Sequence, residues 1–201
     1  MSLNVEEIFS EAPVVRTAEL RTFFESLQLP EGRLDSVTLV RITDALAARP
    51  ELFEDLLVDD EVNRWWLQLW VTESYEVRLL TWEREQSSDW HDHGGSSGAW
   101  SVTAGALHET YRAEDHFSVR DRHYVAGDNG SFGPEHVHDV IFEAGKPAVS
   151  IHAYSPPLSG LTVYDRTRFG FVARDFVLEE RRAEQRSHVV ATSSVSDLRA
   201  G

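Results

Sequence analysis

Residues 89–105 read DWHDHGGSSGAWSVTAG. On extended backbone, successive side chains point to opposite faces, so His91 and His93 project together and can offer two imidazoles to one ion. Gly94-Gly95 interrupts the extended run, and Ala99–Ala104 resumes it up to Gly105. An exposed strand carrying two polar side chains would look the same, so the pair gains meaning only from its neighbours.

On both sides, aromatic and β-branched residues recur at a two-residue period: RWWLQLWVT (64–72), YEVRLLTW (75–82), GAWSVTAG (98–105), GALHETYR (105–112), HFSVR (116–120), HYVAG (123–127), HVHDVIF (136–142), AVSIHAY (148–154) and LTVYD (161–165). Short strands at near-regular spacing, with glycines between them, predict an antiparallel sandwich or barrel. Before them, between about Arg16 and Leu57, apolar residues fall at three- and four-residue intervals (Leu20, Phe23, Phe24, Leu27; Leu39, Ile42, Leu46; Phe53, Leu56, Leu57), which is a helical period. The expected architecture is all-β dominated, a jelly-roll barrel over 63–178 with a short helical preface over 1–62. Residues 179–201 mix charges and small polar side chains and predict a flexible tail. No repeat of domain-building length is evident.

The 201 residues suit one domain with its own core. Cysteine is absent, which removes disulfides, thiolate ligands and a cysteine nucleophile, so any metal must be held by nitrogen and oxygen. The nine histidines therefore carry the metal argument. A formal charge of −15 disfavours nucleic acid as a partner, since phosphate binding rests on Lys and Arg. No apolar run approaches the roughly 20 residues of a membrane helix, and the N-terminus lacks a secretory pattern, so no membrane association and a cytoplasmic location are expected. The oligomeric state is left open, a monomer being compatible.

Spacing strengthens the histidine pair. Gly98 and Gly105 follow His93 at the intervals of the first cupin motif, with Gly98 where that motif has glutamate. Gly127, Gly133, Glu135, His138 and Phe142 keep the intervals of the second motif, although Gly133, Glu135 and Phe142 replace its Pro, Gly and Asn. Together, WHDHGGSSGAWSVTAGALHE, HVHDVIF and SIHAYSPPL resemble the cysteine dioxygenase group of thiol dioxygenases, its bacterial members above all, over about Arg64 to Tyr164. The resemblance implies a cupin barrel, one non-haem Fe(2+) and oxidation of a thiol to a sulfinic acid by O2. It matches His91, His93 and His138 to the iron ligands. Three neutral imidazoles leave the full charge on the metal, which favours thiolate binding. His136 rivals His138 for the third place, because it sits two residues away. His108, His116, His123 and His188 match no site position and read as surface residues.

The same resemblance matches Ser150, His152 and Tyr154 to the Ser-x-His-x-Tyr run beside the family's iron. The Tyr154 hydroxyl can bond substrate or oxygen, His152 can orient it, and Ser150 can fix the His152 tautomer. Trp82 matches a tryptophan near this trio, and Ser155-Pro156 is cis in the family. Mammalian members cross-link a cysteine to the tyrosine. Its position here is Gly98, so Tyr154 is a free phenol. A substrate carboxylate calls for a guanidinium. Arg64 best matches the family's arginine, with Arg78 a competitor and Gln68 the residue that would favour 3-mercaptopropionate. The expected activity is that of an oxidoreductase of cysteine catabolism, taking L-cysteine and O2 to cysteine sulfinic acid. Another small thiol, or a metal-binding cupin without turnover, is the alternative.

Overall fold

A computed structural model describes residues 17–57, 66–82, 87–142 and 147–178. Among the described residues two α-helices come first: α1, Ala18–Ser26, and α2, Ser36–Ala47. Each begins on a side chain that accepts an otherwise orphan backbone N–H. Thr17 takes that of Leu20 (3.1 Å), and Asp35 takes that of Thr38 (2.8 Å). Single 3-10 turns at Pro50–Leu52 and Glu54–Leu56 follow, where Pro50 forbids further α-helix.

Ten strands then form the barrel: β1 Trp66–Val71, β2 Glu76–Trp82, β3 Ser97–Ala104, β4 Ala106–Arg112, β5 Val119–Val125, β6 Asn129–Phe132, β7 His138–Phe142, β8 Ala148–Ser155, β9 Gly160–Thr167 and β10 Gly170–Leu178. One sheet runs β1-β2-β8-β3-β6, and the pairs of the opposite side run β5-β4-β7 and β10-β9, all antiparallel. The gap between β7 and β9 is spanned by His91, which bridges to His138 on one side and Val163 on the other. This is a cupin jelly roll, mostly strand, with the helices laid against one sheet.

The helices explain why β2 and β8 are buried along their whole length. One face of these strands (Val77, Leu79, Val149, Ile151, Ala153) packs with Leu20, Phe24, Leu39, Ile42 and Leu46 of the helices. The other face (Leu80, Trp82, Ala148, Tyr154) packs inside the barrel with Trp100, Phe132 and Val140. The period of two thus sorts β8 into an outer apolar row and an inner row that holds Ser150, His152 and Tyr154.

Several expectations need correction. HFSVR and HYVAG are not two strands. Val119 to Val125 are one strand, and His116 to Ser118 belong to a turn whose backbone N–H groups at Phe117 and Ser118 are taken by Asp115. β6 and β10 have no counterpart among the expected strands. The His-x-His segment is not a ladder strand: Asp89 has φ +54, His91 makes single bridges, and Gly94 and Gly95 turn the chain at φ +57 and +83. Residues 179–201 lie outside the described residues.

Candidate metal centre

His138 opens β7, opposite Tyr111 of β4. His91 N–H donates to the His138 carbonyl (2.9 Å), and His138 N–H donates back to that of His91 (3.1 Å), which locks two imidazoles onto one cross-strand pair. His93 is brought round by Asp92. Its Oδ1 accepts the N–H groups of Gly94 (3.0 Å) and Thr162 (2.8 Å), and its Oδ2 accepts the Tyr164 hydroxyl (2.8 Å). The three rings converge at centroid separations of 4.8–5.0 Å, and one nitrogen from each lies within 4.8 Å of the others. All three are buried.

The Nδ1 atoms of the three rings are held differently. His91 Nδ1 donates to the Asp89 carbonyl (2.8 Å), and His138 Nδ1 donates to Glu109 Oε1 (2.8 Å), which leaves each Nε2 lone pair turned to the centre. His93 Nδ1 is buried with no hydrogen-bond partner among the described residues. Burial first, then the neighbouring imidazoles, hold His93 well below its ordinary pKa, so the ring is neutral. Three buried imidazoles with one nitrogen each within 4.8 Å of the others, one ring carrying a buried nitrogen that no described protein group satisfies, fit a divalent first-row transition ion.

His136 stands outside the three-histidine cluster. It lies before β7 rather than on it, and its Nε2 donates to Glu109 Oε1 (2.8 Å), with its ring stacked 5.0 Å from Phe132. Burial lowers its pKa, partly offset by the hydrogen bond to Glu109. Phe132 was not singled out by the sequence. Its ring lies 4.2 Å from that of His93, and a Cβ built on Gly98 would collide with it. The place of the cupin glutamate is therefore filled by an aromatic ring. Gly98 also pairs with Tyr154 across β3 and β8, the register a side-chain cross-link between these positions would need.

Ser150, His152 and Tyr154 form a continuous relay on the inner row of β8. Trp82 Nε1–H donates to Ser150 Oγ (2.8 Å), Ser150 Oγ lies 2.8 Å from His152 Nε2, and His152 Nδ1 lies 3.1 Å from the Tyr154 hydroxyl. Trp82 can only donate. If Ser150 donates to His152 Nε2, the imidazole proton sits on Nδ1 and faces the Tyr154 oxygen; in the other tautomer both bonds reverse. In the first of these tautomers the phenolic proton points away from His152. Ser155-Pro156 is cis.

Arg64 lies outside the described residues. Arg78 sits on the inner face of β2, with one terminal nitrogen 2.8 Å from Glu76 Oε1 and its guanidinium carbon 4.3 Å over the Trp66 ring. Gln68, opposite Arg78 on β1, donates its amide to Glu76 Oε2 (2.9 Å). A cavity of about 50 Å³ is lined by Arg78, His91, His93, His138, His152 and Tyr154, so the cluster, the relay and a guanidinium share one space. A larger cleft of about 580 Å³ lies between α2 and β3, but it contains no imidazole and none of this chemistry. His108 Nε2 bonds Asp121 (3.0 Å), His116 and His123 are exposed, and His188 lies outside the described residues.

Fold and site together define a cupin with a three-histidine cluster that could hold a metal ion. Over residues 31–167, more than half of the chain, the sequence matches the family model of cysteine dioxygenase type I, and the chain belongs to that family. No curated protein matches it. Solved structures similar to it include a conserved protein with a double-stranded beta-helix domain from Klebsiella pneumoniae (16% identity, 55% of this chain and 86% of that chain, TM-score 0.48). The protein TT1209 from Thermus thermophilus is similar at 16% identity, over 52% of this chain and 93% of that chain, with a TM-score of 0.45.

Proposed function

We propose that the protein is an iron(II)-dependent thiol dioxygenase, with L-cysteine as substrate and cysteine sulfinic acid as product, acting in cysteine catabolism in the cytoplasm. The observation that carries this reading is the meeting, in one cavity, of three histidines, with no carboxylate lining it among the described residues, and the relay that ends at Tyr154. The reaction balances as R–SH + O2 → R–SO2H, with both oxygen atoms entering the product.

His91, His93 and His138 would hold the ion, and bound iron(II) would supply the one-electron reactivity toward dioxygen that a thiolate alone lacks. Everything else is work for the chain's own side chains. With no glutamate at Gly98, nothing from the protein competes there with an anionic sulfur. Tyr154 presents a phenolic proton to whatever oxygen or carboxylate group sits against it, and His152, held by Ser150 and Trp82, keeps that phenol aimed. Trp82, Leu80, Val140, Leu158 and Leu161 line the cavity with apolar surface that excludes water.

For the carboxylate, Arg64 carries the motif match and Arg78 lines the cavity. Commitment of the Gln68 amide to Glu76 counts against Gln68, and with it against 3-mercaptopropionate as the first choice. Oxygen uptake by iron-loaded protein, measured with L-cysteine, 3-mercaptopropionate and cysteamine, tests the reading. Uptake fastest with cysteine, matched mole for mole by sulfinate, is expected; no uptake with any thiol would overturn the class. Substituting Arg64→Gln and Arg78→Gln separately should raise KM for cysteine in the variant whose guanidinium meets the carboxylate, while uptake with cysteamine, which has no carboxylate, stays unchanged.

A further inference from the structure

Glu109, on β4, is buried within the barrel and receives three hydrogen bonds. His138 Nδ1–H and His136 Nε2–H both donate to its Oε1 (2.8 Å each), and the Tyr124 hydroxyl of β5 donates to its Oε2 (3.0 Å). A buried carboxylate is costly unless its lone pairs are taken, and here donors from β4's two neighbouring strands and from the loop before β7 take them. Such an arrangement would be wasteful if it only filled space, since an apolar side chain would do that with less desolvation.

We propose that Glu109 is the positioning residue of the metal centre: by accepting the His138 Nδ1 proton it fixes the tautomer that presents Nε2 to the ion and strengthens that nitrogen as a donor. The inference rests on the three-histidine metal site proposed above. His91 has a backbone carbonyl in the corresponding place. A carboxylate polarises the imidazole N–H more strongly than a carbonyl does, so His138 becomes a stronger donor than its sequence motif alone would suggest. His136 and Tyr124 act one step further out, holding the carboxylate against rotation. This also gives His136 a task, although it binds no metal.

Glu109, His136 and His138 together resemble a second set of metal ligands. Both imidazoles, however, meet the same carboxylate oxygen at hydrogen-bond distance, and His138 cannot give Nδ1 to an ion and its proton to Glu109 at once. One ion per chain is therefore expected.

Titrating metal-free full-length protein with Co(II), followed by visible absorption and by competition with a chelator, tests this. Wild type should bind one equivalent. E109Q should bind 10- to 100-fold more weakly, with shifted Co(II) absorption bands and an unchanged far-UV spectrum. Y124F, which spares the His138 contact, should lose less than about threefold. If E109Q does not fold, E109D keeps the charge but withdraws the oxygen, and it should show the same shift with a smaller loss. Wild-type affinity and spectrum in the glutamine variant, or in the aspartate variant where that one is used, would overturn the inference alone. So would a second equivalent that E109Q abolishes. Failure of wild type to bind any ion would overturn the metal site, and the inference with it.

Discussion

Gly98 and Phe132 show how a single position sets the ligand count. A side chain at 98 and the Phe132 ring compete for one volume, and Phe132 in turn packs on His93 and His136. Gly98→Glu alone should be destabilising by about 1–3 kcal/mol through overpacking, read as a lower Tm. In the double variant with Phe132→Ala the glutamate gains room, and thiol-dependent oxygen uptake should still fall, because a carboxylate then competes with the substrate sulfur. The sequence alone marks the glycine as a departure from the cupin motif, yet it does not reveal what fills the gap, since Phe132 is 34 residues away and looks like any strand aromatic. Trp82 is similar. The family resemblance places it near the trio, but only the structure shows its indole N–H donating to Ser150. Trp82→Phe keeps most of the packing and removes that donor. A fall in kcat of about tenfold or more with unchanged metal content is expected, checked by steady-state kinetics on iron-loaded protein.

At the scale of elements, strands with one or two buried faces are legible and the rest are not. β2 and β8 alternate cleanly because each of their faces meets a core, one under the helices and one inside the barrel. β10 does not, because its register with β9 shifts between Ala173 and Asp175, which breaks the period of two. β6 is only four residues long and begins Asn-Gly, a turn signal, so its pairing with β3 has no local cause in sequence. The His-x-His segment does not take its geometry from a regular strand; instead Asp92 ties it to β9 and His138 ties it to β7. Asp92→Ala removes the acceptor for Gly94, Thr162 and Tyr164 together. It should weaken Co(II) binding while leaving the far-UV spectrum of the metal-free protein close to wild type. The helices are joined to the barrel by polar contacts as well as by packing: the Ser101 hydroxyl of β3 donates to Asp44 (2.7 Å), and Asn129 of β6 donates to the same carboxylate. Loss of the serine hydroxyl in Ser101→Ala should cost about 1 kcal/mol, measured by urea unfolding.

For the molecule as a whole, the two cores divide the labour. One attaches the helices to the outside of the large sheet, and the other surrounds the imidazoles, so the site is built into the barrel interior rather than onto a loop. The order of elements, helices then a jelly roll, is readable because periodicity changes from about 3.6 to 2 between Leu57 and Trp66, whereas the closure of the second sheet through His91 depends on contacts distant in sequence. A metal bound only by the folded site must stabilise it. Saturation at a hundred times Kd adds about 2.7 kcal/mol, so Tm should rise on adding metal and fall with chelator, and the triple variant of His91, His93 and His138 to Ala should show no such response. Thiol dioxygenation itself is tested most directly by supplying iron-loaded protein with L-cysteine under isotopically labelled dioxygen and weighing the product by mass spectrometry. Cysteine sulfinic acid carrying both labelled oxygen atoms is the predicted result; cystine, or a sulfinate whose oxygen comes from water, would contradict it.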